Sequence, residues 1–191
     1  VSISMVHRLK GHYLDTKHPI IVENLMGIKR VKGSIQKGKK PILISHLKSI
    51  INVINEQKTE EIKKDRDKSI ILVGFGGGFR RSELISIDYE DLEFVPEGLK
   101  IIIKRSKTDQ FGEGMIKGLP YFSNEDYCPV VNLKKWLEIS KIKAGPIFRR
   151  FSKGSTLTDK RLTDQSVVLL MKKYLNLAGI ENKNFSGHSL R

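Results

Sequence analysis

The sequence predicts an α+β fold, mainly α-helical, with a small antiparallel β-meander set between two groups of helices. Three observations carry this. Apolar residues recur at helical spacing on both sides of the chain's middle, as in Leu47, Ile50, Ile51 and Ile54. Between the helical segments lie three short runs rich in β-formers, "LEFV", "LKIIIKR" and "GMIKGLPY". The 191 residues, 39% apolar and 29% charged, suit one good-sized globular domain or one domain with a small appendage.

Taken in order, residues 1–31 read as the end of one helix followed by another, "IIVENLMGIKRV". The polar, basic and Gly-interrupted stretch "KGSIQKGKKP" (residues 32–41) has the composition of a linker, and a domain boundary is placed there. A helix is expected from Ser45, read as its N-cap. "DKSIILVGF" (residues 67–75) is apolar almost throughout from Ile70, so it is buried, and helix is favoured over strand. "PEG" and "TDQFGEG" punctuate the three β-runs into a meander. Pro129 suits the first position of a helix carrying Leu133, Trp136 and Leu137. Thr163 is the expected N-cap of a last helix, with Val167, Leu170, Met171, Tyr174 and Leu175 on one face and Gly179 closing it.

Charge narrows the function. There are 35 Lys and Arg against 21 Asp and Glu, a net +14. Residues 1–40 alone hold nine basic and two acidic residues. Such an excess favours a polyanionic partner, because each phosphate contact releases condensed counterions. Cys128 is the only cysteine, which excludes intrachain disulfides and a Cys-rich zinc site and fits a reduced, cytoplasmic setting; it is read as a small buried residue. No apolar run is long enough to span a membrane.

The glycine-rich "GFGGGFRRSELISI" (residues 74–87) invites a phosphate-loop reading. A dinucleotide fingerprint fails, because the sixth residue from Gly74 is Phe79, and no Gly-Lys-Ser/Thr follows for a P-loop. The glycines instead permit a sharp turn that places Arg80 at the start of a new helix. Glu83 lies three residues on, on the same face, where its carboxylate steadies the guanidinium. Two further sites of interest are Lys107, near the tip of the expected hairpin, and "HSLR", whose His188 and Arg191 are also three residues apart.

Together, "GFRRSELISIDYEDL", the hairpin lysine in "SKTDQ" and the terminal "HSLR" resemble the tyrosine recombinases, the phage integrase family. That family carries a first arginine in G-x-R-x-x-E-L, a lysine on a β-hairpin and a later H-x-x-R. The resemblance covers about residues 41–191 and implies a tyrosine-recombinase catalytic core. It makes Arg80, Lys107, His188 and Arg191 the catalytic set, with Glu83 in support. Arg81 falls at a variable position and receives no role. Residues 1–40 are similar to the closing helices of the family's core-binding (SAM-like) domain plus a basic linker. Arg30, Lys32, Lys37, Lys39 and Lys40 are the expected DNA contacts.

The implied reaction is transesterification at a DNA phosphodiester through a 3′-phosphotyrosine, without metal or cofactor. Arg80 and Arg191 would match the charge on the non-bridging oxygens, Lys107 would protonate the leaving 5′-oxygen, and His188 would hydrogen-bond the phosphate. The implied partners are double-stranded DNA and further copies of the full-length protein, a tetramer on DNA, with no membrane and a cytoplasmic, nucleoid-associated location.

One departure stands out. The family's nucleophilic tyrosine follows the second box, whereas Tyr13, Tyr89, Tyr121, Tyr127 and Tyr174 all precede His188. The expectation is therefore a fragment without its nucleophile, inactive for cleavage. The alternative is a non-catalytic DNA-binding remnant of such a recombinase. A type IB topoisomerase shares the chemistry, but the short family-like N-terminal segment argues against it.

Overall fold

The computed structural model describes residues 3–33, 41–104, 114–181, 183 and 185. The chain divides into two units, Val1–Gly38 and Lys39–Arg191.

The first unit holds helices α1 (Ile3–Leu9) and α2 (Pro19–Lys32). Pro19 opens α2 with its φ already helical, and Gly33, at φ 72°, ends it. Lys29, Arg30 and Lys32 crowd the last turn, where they complement the negative end of the helix dipole.

The second unit contains α3 (Ile44–Glu56), α4 (Glu61–Gly76), α5 (Arg81–Ser86), β1 (Leu92–Val95), β2 (Gly98–Ile103) and β3 (Met115–Pro120). After these come α6 (Pro129–Ser140), β4 (Arg149–Phe151), β5 (Leu157–Arg161) and α7 (Asp164–Leu177). It is the mainly helical α+β arrangement the pattern predicts, with the meander in the order β1-β2-β3 and both pairings antiparallel. Register follows the two-residue period. Leu99, Ile101 and Ile103 point into the core while Lys100 and Ile102 face out.

α4 is the central helix. Ile70, Ile71, Leu72 and Val73 are four consecutive buried residues, so its C-terminal half is surrounded on every side, with α6 as its main neighbour. Ile50, Ile51 and Ile54 of α3, Trp136 of α6 and Met171 and Tyr174 of α7 complete the core. Trp136 is fully buried and its Nε1–H donates to the Ile147 carbonyl at 2.8 Å. Charges at the N-terminal half of α4 are buried with partners. Asp67 accepts from Arg66 on one oxygen and from the Tyr174 hydroxyl, at 2.8 Å, on the other. Cys128 is buried ahead of Pro129, as expected, and Thr163 caps α7 by accepting from the Ser166 N–H.

Two local readings need correction. The helix expected from Ser45 starts at Ile44, with Leu43 as N-cap. The Leu43 N–H is taken by Nδ1 of His46, so a histidine at the third helical position serves where a serine cap was expected. A second, two-stranded sheet, β4–β5, was not anticipated. It is anchored through Phe151, whose ring lies 4.7 Å from the Arg66 guanidinium, and through Arg66 donating to the Arg149 carbonyl.

Candidate active site

The glycine run is the C-terminus of α4. The Phe79 N–H bonds back to the Gly74 carbonyl and the Gly78 N–H to the Phe75 carbonyl, the paired bonds of a Schellman motif. Gly78 carries the left-handed turn at φ 54°. Gly77 is required for a different reason. A Cβ there would lie 2.1 Å from the Phe79 ring, which is itself 1% exposed. The ring folds back over the turn and seals it, and the next residue leaves as Arg80.

Arg80 is the N-cap of α5, in an extended conformation with φ −66° and ψ 148°. Glu83 sits at the third helical position. One of its oxygens accepts the Arg80 N–H at 2.9 Å, half of a capping box, and the other accepts from Arg80 Nη1 at 2.6 Å. The side chains differ in exposure, 3% for Glu83 and 23% for Arg80. The carboxylate is thus a buried anchor, and the guanidinium it orients reaches the surface. A planar, permanently charged fork held this way is suited to a phosphate or carboxylate ligand. Arg81 turns away to Asp164 of α7, 3.7 Å distant.

A residue the sequence reading missed completes this cluster. Lys117 of β3 donates to the Gly77 carbonyl at 2.8 Å and to the Gly78 carbonyl at 3.2 Å. Its ammonium is 3.8 Å from Glu83 Oε2 and 4.4 Å from the centre of the Phe79 ring. Strand period could have found it, since Lys117 is two residues before the buried Leu119 and shares its inward face.

At the end of β2, Lys104 pairs with Asp91 at 2.7 Å and Asp88 at 3.8 Å. The hydrogen bond to Asp91, followed by the charges of Asp91, Asp88 and Glu90, holds this ammonium above its ordinary range. Residues 105–113, which include Lys107, lie outside the described residues, as do His188 and Arg191. Of the expected DNA contacts, Arg30 and Lys32 are exposed on the last turn of α2, and Lys37, Lys39 and Lys40 lie outside the described residues. Among the described residues no helix is long and apolar enough to cross a membrane.

Comparison with known proteins gives the family and the fold. The family model described as "Phage integrase family" matches residues 45–191. The integrase/recombinase xerD homolog of Selenomonas ruminantium is 42% identical over 181 residues, which is 95% of this chain and 52% of that protein. The chain thus spans about half the length of that relative. Among solved structures, XerH site-specific recombinase bound to its difH substrate aligns with a TM-score of 0.58 at 15% identity, covering 82% of this chain and 42% of that one. A lambda integrase dimer bound to a COC′ core site aligns at 0.57 and 12%, covering 90% and 47%. At such low identities these structures establish a shared fold. With the family model spanning the whole segment from α3 onward, the chain belongs to the phage integrase family, the tyrosine recombinases.

Proposed function

We propose that this chain supplies the phosphate-gripping part of a DNA strand-exchange site, in which Arg80 binds the scissile phosphodiester. The observation that carries this reading is the Arg80–Glu83 pair: a surface-reaching guanidinium fixed by a buried carboxylate at a helix start, in a member of this family. In the proposed reaction a tyrosine Oη, having given up its proton, attacks phosphorus as the phenolate, the P–O5′ bond breaks and a 3′-phosphotyrosine forms. Lys107 gives its proton to the departing 5′-oxygen. Arg191 joins Arg80 on the non-bridging oxygens and His188 donates to the same phosphate. The basic residues Arg30, Lys32, Lys37, Lys39 and Lys40 hold the duplex backbone. Several copies assemble on DNA during exchange.

The attacking tyrosine, we propose, is none of the five in this chain. Tyr174 is buried with its hydroxyl donated to Asp67, and burial foremost, then the Asp67 charge, keeps it protonated well above the usual phenol range. Tyr127 donates to Asn52, and Tyr121 accepts from Lys134. A buried, protonated phenol is a poor nucleophile, and the Tyr127 and Tyr121 hydroxyls are engaged at the surface.

The test uses labelled duplex DNA with a nick beside the scissile phosphate. The 191-residue chain is expected to shift the DNA on a native gel and to give no covalent band on a denaturing gel. If the gene encodes a tyrosine after Arg191, the product extended through it is expected to give that band. In that product Arg80→Ala is expected to slow cleavage by about 100-fold or more, the range for loss of one preorganised donor, and to weaken binding far less. A covalent band from the 191-residue chain would refute the assignment of the nucleophile. An extended product that binds without cleaving would favour a DNA-binding remnant.

A further inference from the structure

We infer that Lys117 is a positioning residue for the phosphate site, clipping strand β3 to the turn that presents Arg80. The inference rests on the reading that Arg80 grips the scissile phosphate, and it names what holds Arg80 in place.

The Schellman bonds satisfy the carbonyls of Gly74 and Phe75. Further along the turn, the carbonyls of Gly77 and Gly78 are the ones that Lys117 Nζ reaches, at 2.8 and 3.2 Å. These oxygens lie at the negative end of α4, where a cation is favoured by the helix dipole. The same ammonium is 3.8 Å from Glu83 Oε2, the oxygen that also accepts the Arg80 N–H. It lies 4.4 Å from the Phe79 ring centre, within cation–π range. One side chain therefore touches residues 77, 78 and 79 on one side of Arg80 and Glu83 on the other. Only 18% of it is exposed, so these contacts are largely shielded from solvent.

The strand it comes from matters. β3 is the return strand of the hairpin whose connecting residues include Lys107, and it pairs with β2 from Gly98↔Pro120 to Ile103↔Met115. Lys117 faces Ile101 across the ladder, in mid-strand rather than at a frayed end. Its contacts tie the sheet that bears the hairpin to the turn that bears Arg80. Neighbouring inward positions of the sheet are apolar, and an apolar residue at 117 would leave two carbonyls unmatched and Glu83 with one cation fewer.

The experiment compares the 191-residue chain with its Lys117→Met and Lys117→Arg variants, reading solvent exchange of individual arginine guanidinium protons by nitrogen-15 NMR. Arg66, fixed by Asp67 and the Arg149 carbonyl, is the internal control. In Lys117→Met the Arg80 protons are expected to exchange about tenfold faster or more, as for loss of a hydrogen bond to a charged group. Arg66 should stay unchanged, and Lys117→Arg should restore most of the protection at Arg80. Equal acceleration at both arginines, or none at Arg80, would overturn the inference, because a purely structural lysine acts on the fold as a whole. If Lys117→Met does not fold, Lys117→Gln provides the comparison, with a smaller acceleration confined to Arg80 expected. Addition of duplex DNA separates the two readings. An Arg80 signal unmoved by DNA in the unmodified chain would count against the phosphate assignment and leave the Lys117 result standing.

Discussion

Gly77→Ala tests whether the turn before Arg80 is sealed by Phe79. Backbone conformation alone favours the change: Gly77 is in the right-handed helical region, φ −93° and ψ −2°, where alanine is better than glycine by about 0.5–1 kcal/mol. The structure opposes it. The new Cβ would stand 2.1, 2.6 and 3.0 Å from three carbons of the Phe79 ring. Ordinary carbon contact begins near ~3.5 Å, so the nearest ring atom must retreat by about 1.4 Å. A ring only 1% exposed has little room for that, and overpacking of this kind costs about 1–3 kcal/mol. Over most of these ranges the steric cost exceeds the conformational gain, leaving a net loss of up to about 2.5 kcal/mol. Urea unfolding followed by far-ultraviolet circular dichroism measures it. Repeating the substitution in a Phe79→Leu background should shrink the loss below about 0.5 kcal/mol, since the clashing ring is gone. A Gly77→Ala protein as stable as its parent, or more stable, would refute the reasoning.

Tyr174→Phe should lower stability by about 1–3 kcal/mol at neutral pH, because buried Asp67 loses a donor. The Tyr174 phenol holds its proton more tightly folded than unfolded, so its contribution is complete below the ordinary tyrosine value near ~10 and is lost as pH rises beyond it. Urea midpoints of parent and variant should therefore converge above that pH, and parallel profiles would argue against the Asp67 contact. Removing residues 1–40, which carry nine basic and two acidic residues, should flatten the dependence of DNA affinity on salt. Fluorescence anisotropy over a salt series reads the slope, and an unchanged slope would put the DNA surface elsewhere.

Much of the second unit was legible because its signals are local. Helical periodicity, Pro129, Thr163 and the punctuation of the meander each act within a few residues. Arg80 and Glu83 were legible for the same reason: Arg80 stands at the helix start as expected, and Glu83 takes its N–H as well as its guanidinium. The β4–β5 sheet escaped notice because five of its eight residues, "RRF" and "LTDKR", are charged and show no alternation. Those strands are stabilised from outside by Arg66, more than eighty positions earlier. Lys117 escaped because its partners lie some forty residues upstream and a basic residue on a strand reads by default as solvated. Charge in this sequence raises the expectation of a polyanionic partner, and it hides the few basic residues whose work is internal.

The chain's single tryptophan has a practical meaning for anyone who follows its folding by light. Trp136 sits fully buried in the second unit, bonded to the Ile147 carbonyl, and α1 and α2 contain no tryptophan at all. Intrinsic emission excited at the red edge is therefore a private channel to the second unit, blind to the first. Circular dichroism sums the helices of both. Any denaturation in which the two signals part company would time the loss of the N-terminal helices separately from the collapse of the core, with no label attached.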